Sequence, residues 1–75
     1  MPTIKNKVKE IREQHGLSQE ALANRVGVTR QTIISLEKGS YVPSLLLAFG
    51  ISEVFGLTVE QIFKKEADTN AQGYI

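Results

Sequence analysis

At Gly16 and Ser18, Gly27 and Thr29, and Gly56 and Thr58 a glycine is followed two residues later by Ser or Thr. Glycine reaches the left-handed backbone conformation that ends a helix, and Ser or Thr offers an oxygen to the free amides that begin one. Each pair therefore reads as the end of one helix and the start of the next, which cuts the chain into short helices. Gly39 closes another segment, and Ser40-Tyr41-Val42-Pro43 after it reads as a loop, because Pro43 disfavours helical backbone at Val42. Pro43 and Ser44 then open a fourth helix that runs to Val54 or Phe55.

Between these marks the apolar residues recur at helical spacing. Ile4, Val8 and Ile11 form one face of a first helix, capped by Thr3 and ended at Gly16. Leu22 and Val26 supply the buried stripe of a second helix, whose positive end suits Glu20. Val28 and Ile33 are placed as a hydrophobic staple around Thr29, and Ile33 and Leu36 face inward on a third helix that reaches Lys38. Thr58 and Gln61 make a capping box for a short fifth helix through Ile62 and Phe63. No stretch alternates apolar and polar residues, so no strand is expected, and no internal repeat is evident. The expected fold is all-α, a compact five-helix domain over residues 1–66 followed by a polar tail over 67–75 that ends in Tyr74-Ile75. A chain of 75 residues holds one core and must use nearly every large apolar residue in it. The expected set is Val8, Ile11, Leu17, Leu22, Val26, Ile33, Leu36, Leu45, Ile51, Phe55, Leu57, Ile62 and Phe63.

Composition removes several function classes. With no cysteine and one histidine, His15, the chain has no disulfide, no thiolate zinc site and no expected cofactor or metal. It also lacks a glycine-rich phosphate loop and carboxylates at catalytic spacing, so an enzyme is not expected. His15 is read as a surface residue near a helix carboxyl end. No apolar run approaches a membrane span and no leader precedes a cleavage site, so the expected address is cytoplasmic, with no membrane partner. The net charge is +1, yet it is unevenly spread. Residues 1–38 hold seven bases against four acids, a balance of +3, whereas the remainder is −2. A basic half beside an acidic half implies one face for a polyanion and another for something else.

Two short helices joined around Gly27, the second with polar residues on one side, form a unit able to place a helix in the major groove. With Ile33 and Leu36 turned inward on the third helix, Arg30, Gln31, Ile34 and Ser35 remain for the opposite side, Arg30 and Gln31 on its leading turn. The run Leu17-Ser18-Gln19-Glu20-Ala21-Leu22-Ala23 through Gly27-Val28-Thr29-Arg30-Gln31-Thr32-Ile33 to Leu36-Glu37-Lys38-Gly39 resembles the Cro and lambdoid-phage-repressor helix-turn-helix family, also called XRE-like. The resemblance continues through Tyr41-Val42-Pro43-Ser44-Leu45 and Val54-Phe55-Gly56-Leu57, covering residues 4–66. It implies a five-helix, lambda-repressor-like fold that binds double-stranded DNA as a homodimer on a palindromic operator, and a nucleoid location when bound.

Carried across by position, the resemblance assigns base edges to Arg30 and Gln31, with Ile34 and Ser35 beside them, and phosphates to Ser18, Gln19, Thr29, Thr32, Lys38 and Ser40. The chemistry agrees: Arg pairs with guanine O6 and N7, Gln with adenine, and a helix amino end presents free amides to phosphate. Ile34 stands where a small or polar residue is usual, so a thymine methyl is its expected contact. Taken without the motif, Arg30 and Gln31 are what any solvated helix face carries. Arg12 and Glu37, at matching family positions, are read as a partly buried ion pair anchoring the recognition helix. Lys5, Lys7 and Lys9 are read as solvating the first helix rather than binding DNA.

The fourth helix is apolar nearly all round from Leu45 to Ile51. Leu46, Phe49 and Gly50, with Val59 and the terminal Tyr74 and Ile75, are the candidates for packing between two copies, since a glycine inside a helix costs about 1 kcal/mol relative to alanine and calls for an offset. The leading reading is a small repressor. The alternative is an antitoxin or a restriction-modification controller whose role is set by a protein partner.

Overall fold

The computed structural model describes residues 3–66. Over these residues the order is β1 (Thr3–Asn6), α1 (Val8–Gln14), α2 (Gln19–Val26), α3 (Arg30–Lys38), α4 (Leu45–Phe55), α5 (Val59–Ile62) and β2 (Phe63–Glu66). Five helices stand where five were expected, and the hydroxyl caps act as their chemistry dictates. Ser18, Thr29, Ser44 and Thr58 each accept a hydrogen bond from the backbone amide three residues on. The Thr58–Gln61 capping box is complete, with the Thr58 amide donating to Gln61 Oε1 at 2.8 Å. Gly27, at φ +76°, turns the chain sharply from α2 into α3 in a conformation that a Cβ would strain.

The ends of the domain depart from expectation. Ile4 lies on a strand, Thr3 caps no helix, and α1 begins at Val8 after Lys7, which makes no side-chain cap. Asn6 stands in instead: its Oδ1 accepts from the Val8 amide at 3.1 Å, and its Nδ2 donates to the Leu36 carbonyl at 2.9 Å. Phe63, expected in the fifth helix, is already extended and opens β2. The strands pair antiparallel with Ile4 opposite Lys65, Lys5 opposite Lys64 and Asn6 opposite Phe63. Strands of four residues are too short to display an alternation, and each is stabilised by a partner about sixty residues away, so no local pattern announces them.

The core contains Val8, Ile11, Leu22, Ala23, Ile33, Leu36, Leu47, Ala48, Ile51, Phe55, Ile62 and Phe63. Leu22, Ile33, Leu36, Ile51, Ile62 and Val8 are its largest fully buried side chains, each stabilising the fold by roughly 1.5–3 kcal/mol relative to exposure. Leu17, Val26 and Leu57 pack around it half-buried. Leu45 does not belong to it. That side chain is 69% exposed, and Leu47 and Ala48 form the inner face of α4 with Ile51 and Phe55. Where a helix is apolar on every side, hydrophobicity no longer says which side is inner.

Candidate nucleic-acid interface

α2 and α3 are the most extensively packed pair of helices. Their relative placement is fastened by a buried ionic cluster. Arg12 Nε donates to Glu37 Oε2 at 2.7 Å and Arg12 Nη2 to Glu37 Oε1 at 3.2 Å, with the two side chains only 9% and 5% exposed. Arg12 Nη1 donates to the Leu17 carbonyl at 2.9 Å, and Gln19 Nε2 donates to Glu37 Oε1 at 3.1 Å. One carboxylate on α3 thus holds α1 and the first residue of α2 together. The hydrogen bond that Arg12 donates to the Glu37 carboxylate raises the Arg12 pKa above its ordinary value, against the opposing effect of burial.

Ser18, Gln19 and Arg30 line one shallow concavity, where the amino ends of α2 and α3 converge. Glu20, Ala21 and Asn24 complete its wall. Glu20, read from the sequence only as a partner of the helix dipole, and Asn24 stand one turn apart on the exposed side of α2, the spacing that places both at this concavity. Arg30 and Gln31 are exposed on the first turn of α3, while Ile34 and Ser35 are half-buried farther along the same helix. Thr29 and Thr32 are engaged with each other, their hydroxyls 3.0 Å apart while Thr29 Oγ1 accepts from the Thr32 amide. At the far end Ser40 donates its hydroxyl to the Ser35 carbonyl at 3.2 Å, and Lys38 is exposed beside it. Of the side chains assigned to phosphates, Thr29 precedes α3 and Lys38 and Ser40 stand at its far end, while Thr32 lies among those assigned to bases.

The candidates for packing between copies divide. Leu46 is 84% and Phe49 51% exposed, and Phe49 lines an apolar concavity between α4 and α5 with Leu45 and Val59. Gly50 is turned away from that surface: a Cβ there would lie 3.6 Å from Val26 Cγ1 on α2. It faces the inside of the molecule, where α4 meets α2. Tyr74 and Ile75 lie outside the described residues. Among the described residues no helix is long and apolar enough to cross a membrane, and no group of three or more His, Asp or Glu is placed to hold a metal ion.

Residues 8–62 match the helix-turn-helix family, the span that runs from the first residue of α1 to the last of α5. The chain belongs to the helix-turn-helix family of transcriptional regulators, of the Cro/C1 or XRE type. Two relatives agree over almost their whole length. The uncharacterized HTH-type transcriptional regulator YgzD of Bacillus subtilis is 54% identical over 65 residues, covering 87% of this chain and 98% of the relative. A similarly described regulator of Methanocaldococcus jannaschii is 55% identical with the same coverage. Among solved structures, the restriction-modification controller protein C.AhdI of Aeromonas hydrophila superposes with a TM-score of 0.67 at 28% identity, covering 72% of this chain and 82% of the controller. As a helix-turn-helix regulator the chain binds DNA, and α3 is the helix in the recognition position.

Proposed function

We propose that this regulator is a sequence-specific repressor that binds a palindromic operator as a homodimer. The observation that carries the reading is the convergence of Arg30, Ser18 and Gln19 on one concavity, which sets a base-reading side chain beside a helix amino end suited to phosphate. Arg30 and Gln31 read bases, with Ile34 and Ser35 behind them; Ser18, Gln19, Thr29, Thr32, Lys38 and Ser40 hold the backbone. Gln19 keeps a second amide hydrogen for a phosphate while its first is donated to Glu37. Two copies pack through the outward side of α4 and α5, at Leu46, Phe49 and Val59, joined by Leu45. That surface sets the roughly 34 Å between recognition helices that successive major grooves demand.

Selection of bound duplexes from a random pool is the test. A consensus with two inverted half-sites one helical turn apart supports the dimeric repressor, and enrichment of single half-sites removes the dimer. A second reading, a controller or antitoxin whose role a protein partner sets, has support in the likeness to a restriction-modification controller. No enrichment over random sequence, together with a protein partner that co-purifies stoichiometrically, would favour it.

A further inference from the structure

The two terminal strands change the charge map of the molecule. Between residues 39 and 63 the chain carries Glu53 and Glu60 and no Lys or Arg, so the only bases of the acidic half are Lys64 and Lys65. Both lie on β2, which returns them to β1 and the basic half. Lys5 and Lys64 are cross-strand partners and both are exposed. Partners share a face, and the opposite face of this sheet is the inner one, where Phe63 is buried and Asn6 reaches the Leu36 carbonyl.

The sheet also sits against the end of the recognition helix. One concavity joins Lys5 and Asn6 of β1 to Lys38 and Gly39, and the next, sharing Lys5 and Asn6, contains Lys7 and Lys64. A largely basic path therefore leads from the carboxyl end of α3 to the sheet, with one acid, Glu66, two residues beyond Lys64 on β2. Glu37 borders the first concavity, but its carboxylate is held by Arg12 and Gln19; Glu60 borders the second and reduces the attraction there.

We infer that the outward face of the β1–β2 sheet binds the DNA sugar-phosphate backbone beyond the major-groove contact, with Lys64 and Lys7 extending the line begun by Lys38. The inference rests on the DNA-binding reading above and adds a flanking contact to it. Such a contact is blind to sequence, depends on salt, and needs duplex beyond the half-sites.

The test compares wild type, Lys64→Gln and Lys7→Gln on two duplexes across a salt series: the selected site trimmed to its half-sites, and the same site with one helical turn added at each end. Thermal melting should show both variants folded, since Lys7 and Lys64 are both exposed. On the long duplex Lys64→Gln should bind more weakly and flatten the slope of log affinity against log salt by about 0.9 per subunit, with base preference unchanged. Lys7→Gln should change the slope in the same direction. On the trimmed duplex the three proteins should coincide. Wild-type binding with an unaltered Lys64→Gln curve on the long duplex, or an equal loss on both duplexes, would overturn this inference alone. Failure of the wild type to bind either duplex would overturn the DNA-binding reading and this inference with it.

Discussion

Arg12 and Glu37 show how much a single pair decides in a domain of this size. Both side chains are almost entirely buried, and each uses more than one hydrogen bond to remain so. Removing one partner strands a buried charge, so Glu37→Gln should cost about 3–5 kcal/mol. A domain of this length loses roughly 4–8 °C of melting temperature per kcal/mol, which calorimetry will resolve easily. Replacing both, Arg12→Met with Glu37→Leu, should cost far less than the two single changes together, because no charge is then left unpaired. A group whose pKa is raised by folding contributes its stabilisation below its unfolded value and loses it only as pH rises through the folded one. For Arg12 that window is strongly alkaline, so it adds no slope to stability around neutral pH. Gly50 is the opposite case. A Cβ there meets Val26 at ordinary van der Waals distance, so Gly50→Ala should raise stability by about 0.5–1 kcal/mol through helix propensity, measured by urea unfolding. A lower midpoint would mean that α2 and α4 cannot accommodate the methyl group.

Among the elements, α3 is the one on which the proposed reading and holding roles can be tested against each other. Arg30, on the leading turn, should act on sequence: Arg30→Ala should relax preference at one position per half-site and cost roughly 1–3 kcal/mol on the preferred base, with a smaller loss on random DNA. Lys38, on the last turn, should act on charge: Lys38→Ala should weaken cognate and scrambled duplexes nearly alike and flatten the salt slope of a dimer by about 2. Equal losses for Arg30→Ala on both duplexes, or altered base preference in Lys38→Ala, would reverse the assignment. The helices themselves were legible because each is bounded by a local chemical mark, such as Gly27 and Thr29 around the turn between α2 and α3. The start of α1 was not. Ile4, Val8 and Ile11 satisfy helical spacing, but the backbone of Ile4 is paired with β2, and helix begins only after Asn6 has supplied its cap.

Across the molecule the two ends of the described residues meet, and charge is segregated further than the linear halves imply. The basic residues gather on α1, α2, α3 and the sheet, leaving α4 and α5 with Glu53, Glu60 and an exposed apolar surface. One side is thus suited to a polyanion and the other to apolar contact. If two copies join through the apolar side, Leu46→Glu should place a desolvated charge in the contact and give monomers by sedimentation velocity, while far-ultraviolet circular dichroism remains that of wild type. A persistent dimer would put the contact elsewhere.

The caps, the glycine stops and the inward stripe of α3 depend on residues within a few positions of one another, and for that reason they could be read along the chain. So could the order of the helices and the resemblance that Gln19, Arg30 and Gln31 carry. The terminal sheet, the inner side of α4 and the orientation of Gly50 depend instead on contacts between residues far apart in sequence. Phe63 becomes extended because β1 is there to pair with it. Leu47 and Ala48 rather than Leu45 turn inward because the packing of α4 selects one side of a helix whose residues are apolar all round. Lys64 joins the basic face through backbone pairing that no charge count along the chain can reveal.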